Sequence, residues 1–170
     1  MKNELSIAFI GGGNMAAALA SGLAGKVCAA GSIHVIDINQ DAHAAWQARG
    51  MTTATAPDEA LARARVWVFA VKPQNMKDVV ASTRQWLRDD TLVVSVAAGI
   101  RADTLAAWLG TPEAPFGRLV RCMPNTPALV GAYSMNQACR SKSPPSCSAM
   151  VGTSGADALR RMTEVPSARS

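Results

Sequence analysis

Hydrophobic positions in this chain cluster into short, almost unbroken runs, separated by stretches in which apolar residues recur at helical spacing. Ile7-Ala8-Phe9-Ile10, Ile33-His34-Val35-Ile36, Val66-Trp67-Val68-Phe69-Ala70-Val71 and Leu92-Val93-Val94-Ser95-Val96 are rich in β-branched and aromatic residues. Runs without polar alternation suit parallel strands covered by helices on both faces. Shorter strands are expected at Met51 to Thr55 and Leu119 to Met123. Helices are predicted from Asn14 to Ala30, closed by Gly31, and from Gln40 to Arg49, stopped by Gly50. A short helix takes Pro57 in its first turn, with Asp58 and Glu59 at its positive end, and stops near Arg65. Two more run from Met76 to Leu87 and from Ala102 to Leu109. Strict alternation of strand and helix predicts an α/β fold, a Rossmann-type doubly wound parallel sheet.

The pattern stops near Gly131. Tyr133 to Ser170 contains 8 serines, with Val151, Leu159 and Val165 as its only Leu, Ile, Val or Phe residues. So little apolar surface cannot offset the entropy of ordering a chain. We expect a dinucleotide-binding domain over 1–132 and a poorly ordered tail over 133–170, with at most a helical turn at Asp157 to Met162. The abrupt change of composition has the look of a shifted reading frame or a spliced end.

Where the first strand meets the first helix stands Ile10-Gly11-Gly12-Gly13-Asn14-Met15-Ala16. Strand, glycine turn and helix in this order form a site for a dinucleotide's phosphates. Gly11 takes the tight turn, Gly13 lets a pyrophosphate approach the main chain, and Ala16 allows close helix–strand packing. The first helical N–H groups then face the phosphates. Asp37 closes the second strand 21 residues after Ala16, near the spacing of about 20 expected for a ribose-binding acid. A glycine turn without ligand and an ordinary strand-ending Asp are the plainer alternative. No Arg follows Asp37 closely, and a lone carboxylate repels a ribose 2′-phosphate, which favours NADH.

Composition narrows the choice. The formal charge of +5 invites a nucleic-acid partner, but residues 1–132 are nearly balanced and show no basic stripe with interleaved aromatics. Cys28, Cys122, Cys139 and Cys147 have no metal-ligand spacing and no neighbouring His, so a metal site is not expected and free thiols in a reducing compartment are. Lys2 before an apolar run resembles a leader, but Glu4 and the Gly12-Gly13-Asn14 interruption argue against one. No run is long and apolar enough to cross a membrane, and a cytoplasmic protein is expected. Trp46, Trp67, Trp86 and Trp108 read as core and edge packing. His34 and His43 have no evident partner and receive no catalytic role.

Four blocks carry a resemblance. Phe9 to Ala16, Ala70-Val71-Lys72-Pro73-Gln74, Val94-Ser95-Val96-Ala97-Ala98-Gly99-Ile100 and Arg121-Cys122-Met123-Pro124-Asn125-Thr126-Pro127 resemble pyrroline-5-carboxylate reductase, over residues 5 to about 132. The resemblance implies hydride transfer from NADPH or NADH to a cyclic imine, giving proline. It implies that Asn14, Met15 and Ala16 line the pyrophosphate turn. Ala70, Val71, Lys72 and Pro73 would run beside the dinucleotide and nicotinamide, with Val96, Ala97 and Ala98. Asn125 and Thr126 would lie near the nicotinamide end. Lys72 and Pro73 also read as a solvated charge and a loop stiffener. A protonated imine already accepts hydride well, so positioning dominates and no catalytic side chain is assigned. Two departures stand out. Many relatives have Asn where Pro57 stands, and nothing in 133–170 resembles the family's helical domain, which makes its homo-oligomer and most of its imine-acid site. The chain is therefore expected to turn over poorly if at all. The alternatives are a non-catalytic dinucleotide-binding module, or another dehydrogenase of the same group, prephenate- or deazaflavin-linked, against which the 121–127 block argues.

Overall fold

A computed structural model describes residues 5–123. Six parallel strands form one sheet: β1 (Ile7–Ile10), β2 (Ile33–Ile36), β3 (Thr52–Ala54), β4 (Val66–Phe69), β5 (Leu92–Ser95) and β6 (Leu119–Arg121). Their order is β3-β2-β1-β4-β5-β6, so the winding reverses between β1 and β4, and a crevice opens beyond their carboxyl ends. The predicted doubly wound sheet is the observed one.

Why the strand sequences are apolar throughout follows from the two packed faces. Ala8, Ile10, Trp67, Phe69, Val93 and Leu119 share one core with Leu61 of α3 (Glu59–Arg63), Met76 and Val80 of α4 (Met76–Thr83), and Leu105 and Leu109 of α5 (Ala102–Leu109). The alternate residues Ile7, Phe9, Ile33, Val35, Val66, Val68, Val94 and Val120 share a second core with Ala16, Ala20 and Leu23 of α1 (Asn14–Leu23) and Trp46 of α2 (His43–Gln47). Ala16 and Ala20 are fully buried, so small side chains let α1 lie close on the sheet. Trp46 and Trp67 are core residues, and Trp86 and Trp108 pack against the core from its edge, as expected.

Several boundaries differ from the sequence reading, and the helix expected over Met76 to Leu87 is α4 followed by a 3-10 turn (Arg84–Trp86). The first helix ends at Leu23, not Ala30: Gly25 takes φ +76°, and the Leu23 carbonyl accepts from the N–H groups of Lys26 and Val27, which closes a turn. The predicted helix over Gln40 to Arg49 is a 3-10 turn (Gln40–Ala42) followed by α2. Pro57 does not occupy the first turn of α3. Asp58 caps that helix, its Oδ1 accepting from Leu61 N–H at 3.1 Å, and Pro57 stands just outside. Asn125, Thr126 and the 133–170 tail lie outside the described residues.

Candidate dinucleotide site

The glycine turn lies at the switch point, and each glycine has its own constraint. Gly11 adopts φ +100° and donates its N–H to the Ile36 carbonyl at 2.8 Å. A Cβ built there would stand 2.8 Å from the Ala70 oxygen and from Val71 Cγ1. Backbone and packing therefore both demand glycine. The same crowding shows that the first and second sequence blocks meet: Ala70 and Val71 flank the turn. A Cβ on Gly12 would stand 2.9 Å from Asp37 Oδ2 and 3.0 Å from Trp46 Nε1. Gly13, by contrast, is exposed and has nothing within 4 Å of a built Cβ. The main chain is therefore open at the residue preceding α1, in space that a side chain would fill.

Asp37 closes the site on the β2 side. Its Oδ2 accepts from Gly12 N–H at 2.7 Å and its Oδ1 from Asn39 N–H at 2.8 Å. The carboxylate thus pins the glycine turn as well as its own loop. Asn39 Oδ1 accepts in turn from Asp41 N–H at 3.1 Å, so the segment after β2 is tightly hydrogen-bonded. Ile38 projects from this segment with 87% of its surface exposed.

The other expected residues divide by burial. Ile10 and Ala16 are buried, Met15 is half-buried, and Asn14 is exposed at the mouth of the turn. Ala70 and Val71 are half-buried while Lys72 and Pro73 are exposed, and Pro73 opens a 3-10 turn (Pro73–Asn75). Val96 is half-buried and Ala98 exposed, but Ala97 belongs to the core, so it offers the crevice only main chain. The thiols flanking the sheet are poor nucleophiles: burial pushes Cys122 up to about 11 and raises Cys28 as well, which keeps both protonated.

Sequence reasoning missed the partners of both histidines. His34 Nδ1 lies 2.7 Å from Thr52 Oγ1 and its Nε2 3.2 Å from Asp58 Oδ1; it ties β2 to β3 and to the start of α3. His43 Nε2 donates to the Asp37 carbonyl at 2.8 Å. The indole under Gly12 was also missed. The register of two separate elements creates these contacts, and periodicity carries no signal for them.

Comparison with known proteins agrees with this geometry. A family described as NADP oxidoreductase, coenzyme F420-dependent, matches residues 6–99. Pyrroline-5-carboxylate reductase from Pseudomonas aeruginosa is 43% identical over 125 residues, 73% of this chain and 44% of that protein. The reductase from Pisum sativum is 38% identical over 132 residues, 77% of this chain and 46% of that protein. The structure of a pyrroline-5-carboxylate reductase from Coxiella burnetii superposes with a TM-score of 0.70 at 33% identity, covering 78% of this chain and 48% of that one. The chain therefore spans about half the length of the relatives it matches.

Proposed function

The chain belongs to the family described as NADP oxidoreductase, coenzyme F420-dependent, and from that premise we propose that it serves reduction of the cyclic imine pyrroline-5-carboxylate to L-proline. The observation that carries this reading is the open main chain at Gly13 beside two glycines that packing holds in place. The curated relatives support the choice of imine substrate by their names. In this reading Ile10, Gly11, Gly12, Gly13, Asn14, Met15 and Ala16 form the phosphate turn and Asp37 faces the adenosine ribose. Ala70, Val71, Lys72, Pro73, Val96, Ala97 and Ala98 wall the crevice; Asn125 and Thr126, which the resemblance assigns to the nicotinamide end, lie outside the described residues.

NADPH or NADH, when bound, supplies the hydride. The chain's own contribution is to bind and orient. The α1 N–H groups and the Gly13 main chain hold negative charge, while the half-buried Ala70 and Val71 stand beside the turn. Proper orientation of two reactants is the larger share of what such a reaction needs. No helix among the described residues is long and apolar enough to cross a membrane. Free thiols at Cys28 and Cys122 support a reducing, cytoplasmic setting.

A second reading, a dinucleotide-binding module without turnover, draws support from the share of the relatives that is matched. One experiment separates them. The purified chain is titrated with NADPH and NADH, and oxidation of the reduced nicotinamide is followed with and without the imine. Binding with imine-dependent oxidation supports the reductase, and binding alone supports the module. No binding of either dinucleotide overturns both.

A further inference from the structure

A donor stands at the glycine turn without an acceptor. Trp46, on α2, is only 3% exposed and packs in the core that α1 shares with the sheet. Apolar contact accounts for its ring but not for its nitrogen. Nε1 would stand 3.0 Å from a Cβ built on Gly12, and Asp37 Oδ2 would stand 2.9 Å from that same point. The two atoms therefore flank the second glycine of the turn. Oδ2 is engaged, accepting from Gly12 N–H at 2.7 Å. The indole N–H makes no hydrogen bond among the described residues, and the polar neighbour of the ring is the Arg49 guanidinium, 5.7 Å from its centre.

Polar groups of buried residues are almost always paired, and a donor left alone costs stability. Trp86 Nε1 is also unpaired, but it is sealed from solvent. Trp46 Nε1 is not sealed, so the small open part of this residue includes its donor. A bound group can reach it there.

Donor and acceptor inventories say what that group is. The Asp37 carboxylate accepts two main-chain N–H groups, at 2.7 and 2.8 Å, and has accepting capacity left. An acceptor beside a lone donor matches a hydroxyl, which donates to the first and accepts from the second. A phosphate has no such proton to give, and Asp37 repels it. The segment from Ile38 to Ala48 contains neither Lys nor Arg to offset that repulsion. Asp37 is also the carboxylate that the dinucleotide reading sets against the adenosine ribose.

We infer that Trp46 is a ligand-binding residue, its indole N–H donating to the adenosine 2′-hydroxyl that in turn donates to Asp37. The inference rests on the dinucleotide reading above and adds to it a second ribose contact, one that selects the unphosphorylated sugar of NADH.

The test uses the whole chain, calorimetric titration and thermal melts. The ligands are NADH and its analogue lacking the adenosine 2′-hydroxyl. The proteins are wild type, Trp46→Phe and Trp46→benzothienylalanine, in which sulfur replaces N–H in a ring of the same shape. Because the N–H has no partner in the free protein, the sulfur variant is expected to melt at the wild-type temperature or slightly above it. Its affinity for NADH is expected to fall roughly fivefold, the size of one hydrogen bond. Its affinity for the 2′-deoxy analogue is expected to match that of wild type. Trp46→Phe should show the same split between the two ligands, whatever its smaller ring costs in melting temperature. Unchanged NADH affinity in the sulfur variant overturns the inference, as does an equal loss against both dinucleotides. Failure of the wild type to bind either NADH or NADPH overturns the functional reading itself, a distinguishable result.

Discussion

Three adjacent glycines meet three different demands, and substitution separates them. Gly13→Val is expected to abolish dinucleotide binding by calorimetric titration while the melting temperature stays near wild type, because its side chain enters empty space. Gly12→Ala should do the opposite first. Its methyl meets Asp37 Oδ2 and Trp46 Nε1 at 2.9 and 3.0 Å, so stability falls by about 1–3 kcal/mol in urea unfolding, the usual range for overpacking. Cys122 gives a pH prediction. Its folded pKa of about 11 lies above the ordinary thiol value, so the neutral form is the one the fold favours. The stability it contributes is complete below the unfolded thiol's pKa and is lost as pH rises toward 11. The stability-versus-pH slope across that alkaline window should flatten in Cys122→Ala. Cys28 contributes in the same direction and leaves a smaller residual slope.

At the scale of elements, strand identity was legible and helix ends were not. Short continuous apolar runs rich in β-branched and aromatic residues suit strands covered on both sides, and the two cores use alternate residues of each run as that requires. The end of α1 was misread because Ala24 to Ala30 keeps helical composition, while Gly25 is free to adopt φ +76°; a single glycine inside an apolar stretch does not announce that it will be used. The start of α3 was placed two residues early because proline and aspartate both suit helix starts. Asp58 does two things at once, capping Leu61 N–H and standing 3.2 Å from His34 Nε2. Asp58→Ala should therefore lower stability by about 1 kcal/mol, the usual size of a lost cap. Asp58→Asn, which retains a capping oxygen, should fall between wild type and Asp58→Ala in thermal melts.

Across the whole molecule, the strand order turns scattered motifs into one site. The segments after β1, β2, β4 and β5 are far apart in sequence, but the parallel sheet aligns their carboxyl ends on one edge, and the reversal between β1 and β4 sets the glycine turn against Ala70 and Val71. That convergence was foreseeable from topology, whereas the clasp of Asp37 on Gly12 was not, since it depends on a side-chain rotamer. The same architecture bears on where the folded unit ends. Residues 5–123 contain six paired strands and two cores, and among the described residues Cys122 is the last that contributes to them. Stability follows from apolar surface buried, at about 25 cal/mol per Å², and residues 133–170 offer little of it. We therefore expect a chain ending at Ala132 to melt within a few degrees of the 170-residue chain and to bind dinucleotide with the same affinity. A large loss of melting temperature on that truncation would mean that the last 38 residues bury surface against the sheet, and the boundary at 132 would have to move.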